Sequence, residues 1–190
     1  MIKTMKKIIV KCKLRNRDQF EDKLSEIGMD FSTIFWQHDR VYVPRNYKPK
    51  MNFPRLIMRT EMRAVDKPAK YSVILRRHIE DSEIDIVNET VVKNYTEMAG
   101  IIQQLGFKQQ AEVSRRRQEI KMGEGTILYL DNIEGVSGYF AKMETVLNEG
   151  DVVAEARADL EKTLAVLGEG NIVKGTYGEI LSDKALDNMV

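Results

Sequence analysis

At 190 residues, with 43% hydrophobic side chains, the chain is long enough to bury one ample core, and no linker divides it, so residues 1–190 are expected to form a single domain. Its 30 Lys and Arg stand against 29 Asp and Glu, and a net charge of +1 excludes a global signal for nucleic acid or an anionic membrane. The single cysteine, Cys12, excludes an intrachain disulfide, and with no long apolar run the chain reads as soluble and cytoplasmic, with neither a nucleic-acid nor a membrane partner.

The first predicted element is a strand over Lys6 to Leu14, where Ile8, Val10, Cys12 and Leu14 share one face and Lys7, Ile9, Lys11 and Lys13 the other. Asn16 or Asp18 is placed to cap a short helix in which Phe20, Leu24 and Ile27 recur at helical spacing until Gly28 ends it. Phe31 to Val43 reads as two short strands, or one bent strand, broken near His38 and Asp39. Pro44, Pro49 and Pro54 then bound a polar stretch, Arg45 to Phe53, expected to be an exposed and mobile loop.

Beyond the loop the alternation returns. Arg55, Ile57, Arg59, Glu61 and Arg63 oppose Leu56, Met58 and Met62; Lys70, Ser72, Ile74 and Arg76 oppose Tyr71, Val73 and Leu75; Ile84 to Val92 is a further β-branched run. Tyr95 to Leu105 predicts a helix with Met98, Ile101, Ile102 and Leu105 on one face and Gly106 at its end. Phe107 to Lys121 predicts a strand that sets Val113, Arg115, Arg117, Glu119 and Lys121 together and leaves Arg116 on the other side. Gly125 to Leu147 is a hairpin: Ile127, Tyr129 and Asp131, then Phe140, Lys142 and Glu144 after Gly135 and Gly138, mix charge with aromatic rings on one face. Val152 to Leu167 closes the series as a helix ended by Gly168 and Gly170, leaving a short tail through Tyr177.

Strands that come in runs, interrupted by single helices, define an α+β chain with mainly antiparallel pairing. Long cationic side chains repeat on one face of several strands, which suggests a closed sheet with a charged interior. About eight strands suffice to close such a barrel around side chains or one small ligand, with about three helices over its apolar outer wall. An open sheet with a solvated charged face has the same periodicity. Glu61 and Glu119 read as counter-ions for neighbouring arginines, Asp131 as a turn cap or the partner of a cation, and His38 and His78 lack zinc-like spacing.

The order of segments resembles the CYTH superfamily of triphosphate tunnel proteins, and most of all its class IV adenylate cyclase branch. The residues that carry the resemblance are VKCKL from Val10, RLIMR from Arg55, IIQQLGF from Ile101, SRRR from Ser114, LDNIEGVSGYFAKME from Leu130 and TYGEIL from Thr176. It implies a closed antiparallel tunnel with inward basic residues for a triphosphate and acidic residues for a divalent metal. Carried onto this chain, the triphosphate-binding set is Lys7, Lys11, Arg59, Arg76, Arg115, Arg117 and Lys142, with Arg55 or Ile57 in the same strand as Arg59.

The acidic half of the pattern is degenerate. Lys7, Ile9 and Lys11 stand where the family carries Glu-x-Glu-x-Lys, and Lys142 replaces one of two glutamates near Glu144. Glu144 and Glu89 are the surviving candidates for metal, a thin set for Mg²⁺ or Mn²⁺. The resemblance therefore implies a protein that binds a nucleotide or other triphosphate with weak or lost catalysis and needs no cofactor for binding. Its alternatives are an active cyclase or triphosphatase using Mg²⁺ or Mn²⁺, and a non-binding scaffold whose interior charges pair among themselves; a homodimer is left open.

Overall fold

The computed structural model describes residues 4–48, 54–79, 84–167 and 171–181. Its strands are β1 (Thr4–Lys13), β2 (Phe35–Pro44), β3 (Arg55–Met62), β4 (Lys70–Ile79), β5 (Ile84–Val92), β6 (Phe107–Gly123), β7 (Thr126–Ile133) and β8 (Phe140–Val146). They pair antiparallel in the closed order β1-β5-β4-β3-β2-β6-β7-β8. β1 completes the ring because it pairs on both edges, Lys7 lying opposite Asp85 of β5 and Lys11 opposite Lys142 of β8. Closure removes free edges and sends alternate residues of each strand into a lumen. The architecture is an antiparallel α+β barrel, and the open-sheet alternative is excluded.

The outer wall explains why it closes. Ile8, Val10, Cys12, Leu128, Leu130, Ala141 and Met143 point outward and are at most 2% exposed, covered by Phe20 and Leu24 of α1 (Arg17–Glu26) and Leu160 and Leu164 of α3 (Val153–Val166). Burial of each such large side chain contributes roughly 1.5–3 kcal/mol, so this wall supplies the stability against which a charged interior must be tolerated. On the opposite side α2 (Tyr95–Gln104) lays Ile102 over Tyr42 and Met58. Asn16 caps α1 by accepting the Gln19 N–H at 3.2 Å, and Asn94 caps α2 through the Glu97 N–H at the same distance. Among the described residues no helix is long and apolar enough to cross a membrane.

β2 runs unbroken through His38 and Asp39, where the sequence suggested an interruption. Both polar side chains find partners on adjacent strands, so neither has to break the ladder. An irregularity falls later, between Val41 and Tyr42, where two residues of β6 oppose a single step of β2 and Gln110 and Ala111 both reach the lumen. Residues 45–48 of the predicted loop are exposed or half-buried; residues 49–53, and the helix-ending Gly168 and Gly170, lie outside the described residues. The C-terminal tail is more structured than expected: Ile172 bridges to Cys12, and 177–181 form one helical turn.

Candidate functional site

Strand alternation places Lys11 of β1, Arg55 and Arg59 of β3, Arg76 of β4, Arg115 and Arg117 of β6 and Lys142 of β8 around one cavity of about 120 Å³. Those seven cations share its lining with only two carboxylates, Asp39 and Glu179. Six of the seven residues expected to bind triphosphate are thus brought together. Lys7 is not part of the lining; its ammonium lies 2.8 Å from Glu144 Oε1.

The luminal charges form small shared networks. Asp39 is buried and accepts from Arg59 Nε at 2.7 Å and Nη2 at 2.9 Å, and from Arg115 Nη2 at 2.7 Å. Burial would raise its pKa, but the two guanidinium groups hold it far below the usual carboxylate range. One carboxylate neutralises only one of two arginines, and Arg115, with burial and the nearby Arg117 and Arg59 against it, has its own pKa lowered. Gln37 Oε1 takes two further donors of Arg115, at 2.8 and 3.2 Å, without adding charge.

Glu144 repeats the arrangement with lysines. Its Oε2 receives Lys142 at 2.7 Å while Oε1 receives Lys7 and, at 3.2 Å, Tyr129 Oη. Burial pushes the Lys142 ammonium down to about 7, with Arg117 and Arg76 acting in the same direction and Glu144 opposing them. Lys11 is lowered to about 8, first by burial and then by Arg76; among the described residues it pairs with no carboxylate and donates instead to the carbonyl of Gly175. Two other arginines are matched one to one. Arg117 binds Asp131 through two contacts of 2.6 Å, and Arg76 Nη2 lies 2.5 Å from Asp85 Oδ2.

These contacts decide how the acidic residues relate to metal. Divalent Mg²⁺ needs free, hard carboxylate oxygens. Both oxygens of Glu144 are held by ammonium groups, both of Asp131 by Arg117, and both of Asp39 by arginine. Glu89 lies opposite Ile74 on β4, and its charge is felt by Arg59. Among the described residues no three His, Cys, Asp or Glu side chains group to hold a metal ion. The donor set does not fit a divalent cation.

Several participants escaped sequence reasoning. Asp39 was hidden by the apparent strand break, although Phe35, Gln37 and Asp39 alternate with outward Trp36 and His38. Asp85 meets Arg76 across the β4–β5 pairing, nine positions away, while Glu179 meets Arg55 only because the tail, which gave no periodic signal, folds back on the barrel. His38 contacts Ser114 Oγ at 2.8 Å and Glu112 Oε1 at 2.7 Å, and His78 contacts Asp85 at 3.2 Å, so both have partners distant from zinc-like spacing. Arg116 stacks over Trp36 on the outer wall at 4.9 Å, and Arg63 binds both Glu61 and Glu119, as their positions implied.

No family model matches the chain, and no curated protein does. Solved structures do. The PH1819 protein of Pyrococcus horikoshii is 22% identical, with a TM-score of 0.80 over 94% of this chain and 99% of that one. A candidate adenylate cyclase of Vibrio parahaemolyticus is 16% identical, with a TM-score of 0.78 over 94% of this chain and 98% of that one. The fold is the one these solved structures share, a closed eight-stranded antiparallel barrel. A third such structure, the candidate adenylyl cyclase HpAC1 of Hippeastrum, described as having a dominant triphosphatase activity, is 14% identical with a TM-score of 0.58 over 95% of this chain and 96% of that one. Similarity across these structures spans nearly the whole chain and concerns architecture, so the chemistry has to be argued from the luminal residues themselves.

Proposed function

We propose that the protein captures a nucleotide or another organic triphosphate or polyphosphate in its lumen, with weak or no turnover and no required metal. The observation that carries this reading is the imbalance of seven cations to two carboxylates around one cavity. Phosphate oxygens would receive charge-assisted hydrogen bonds from the guanidinium forks of Arg59, Arg76, Arg115 and Arg117, with Lys11 and Lys142 as point charges. Lys7 would act at one remove by sharing Glu144 and so sparing part of the charge of Lys142. The neighbours described as a candidate cyclase and a triphosphatase agree in substrate class.

Turnover is a different matter. Phosphoryl chemistry in a closed site depends on stabilising charge in the transition state, and a divalent ion commonly supplies that stabilisation. Here Glu144, Asp39 and Asp131 are engaged by lysine and arginine and, of the two metal candidates, Glu89 alone is left to hold such an ion, which favours capture over catalysis. Calorimetric titration with ATP and tripolyphosphate, with and without Mg²⁺, tests the reading. Binding that survives chelation, with no phosphate or pyrophosphate released, is expected. Metal-dependent product release would overturn the claim of weak turnover, and no affinity for either anion would show an interior satisfied by its own pairs, as Arg117 with Asp131 and Arg76 with Asp85 already are.

A further inference from the structure

We infer that the C-terminal segment 172–181 is a built-in competitor for the lumen, placing a carboxylate of the chain itself on Arg55 until a bound polyanion displaces it. The inference rests on the capture reading above and goes beyond it in assigning a gate.

The segment has an apolar side and a polar side. On the first, Val173, Tyr177, Ile180 and Leu181 pack on Val113, Ile133, Val136 and Phe140, with the Tyr177 and Phe140 rings edge to face at 5.6 Å. Gly178 lies so close to β6 that a Cβ there would stand 3.1 Å from the Ala111 Cβ, tighter than ordinary packing. On the polar side the backbone and side chains imitate an anion. The Gly175 carbonyl accepts from Lys11, Glu179 Oε1 accepts from Arg55 Nη2 at 2.7 Å, and Thr176 Oγ1 lies 3.4 Å from Arg55 Nη1. The Thr176 N–H in turn donates to Glu179 Oε2 at 2.5 Å, which aims the carboxylate at the cavity.

Two of the seven lining cations, Lys11 and Arg55, therefore donate to the tail. Its Tyr177 ring also lies 5.9 Å from the Arg115 guanidinium, and the Tyr177 hydroxyl donates to Asp131 at 2.8 Å and so anchors the segment beside the contacts that open. The Glu179 side chain is 46% exposed, so its pair with Arg55 is a solvent-screened contact that phosphate oxygens can replace. A ligand long enough to reach Lys11 and Arg55 must break those contacts. Anion binding and release of 175–179 then become reciprocal: whatever loosens the tail tightens capture by the same factor.

The test is tripolyphosphate calorimetry on the full chain and its Glu179→Gln variant, with Glu149→Gln, an exposed carboxylate away from the lumen, as the control for net charge. Glu179→Gln is expected to bind about fivefold more tightly, Glu149→Gln like the parent. Amide exchange gives a second readout: saturating tripolyphosphate should deprotect the Thr176, Glu179 and Ile180 N–H groups, all bonded in the free protein. If the parent binds and Glu179→Gln binds equally or more weakly, or matches Glu149→Gln, or if the tail stays protected at saturation, the gate is wrong and the capture reading survives. If neither parent nor variant binds, both are wrong.

Discussion

Asp39 and Glu144 sit in the same lumen and are each shared by two cations, Asp39 by Arg59 and Arg115, Glu144 by Lys7 and Lys142. Stoichiometry and distance are nearly the same, yet the two sites handle their surplus charge differently. A guanidinium keeps its proton at any pH the fold survives, so the arginine site stays positive and leans on Asp39 for its tolerance. An ammonium can shed its proton, and Lys142, lowered to about 7 mainly by burial, does so near neutrality. The arginine side of the lumen is thus permanently charged, and the lysine side can lose and regain its charge near neutrality.

The largest effect should come from removing the shared carboxylate where the cations cannot adapt. Asp39→Asn leaves the buried Arg115 opposed to the half-buried Arg59 and should cost about 3–5 kcal/mol in urea unfolding at pH 7. Glu144→Gln should cost less, about 1–3 kcal/mol, because Lys142 can deprotonate. Equal losses would erase the distinction. Next in size, Lys142→Glu should weaken tripolyphosphate binding about tenfold or more by setting a second carboxylate beside Glu144, whereas under a metal-dependent reading the same change would strengthen Mg²⁺-supported binding.

The smaller effects are in pH. A polyanion favours the charged ammonium, so it raises the pKa of Lys142 from about 7 and of Lys11 from about 8, and binding takes up protons. Affinity should be greatest below pH 7 and fall several-fold on the way to pH 9, with Lys142→Arg flattening the profile. Stability without ligand runs the other way. Between pH 7 and 10 an unfolded chain keeps the Lys142 proton that the folded chain has lost, so stability rises with pH there and is at its least favourable below pH 7, where both states hold it. Lys142→Met should diminish that rise in denaturant titrations, and an unchanged slope would remove Lys142 from the account.

Much of the barrel was legible because period-two alternation survives translation into a closed sheet. Lys7 to Lys11 and Arg55 to Arg59 alternate with apolar neighbours, Arg115 and Arg117 flank the outward Arg116, and closure alone turns those stripes inward. What alternation cannot show is who neutralises whom. Asp39 meets Arg115 across 76 positions and Glu179 meets Arg55 across 124, contacts fixed by strand order and by a tail with no periodic pattern. The resemblance to the CYTH superfamily identified where carboxylates were missing, at Lys7, Ile9 and Lys142, but not that Asp39 and Asp85 supply counter-charges from other strands; Asp131, read as a turn cap or the partner of a cation, does pair with Arg117.

The most direct measurement is a crystal structure of the protein grown with tripolyphosphate and a chelator. The account predicts phosphate density between Arg59, Arg115, Arg117 and Lys142 with no metal ion bridging it. A lumen holding only water, with Asp39 and Glu144 still fully engaged and the anion found on the outer wall or nowhere, would contradict it.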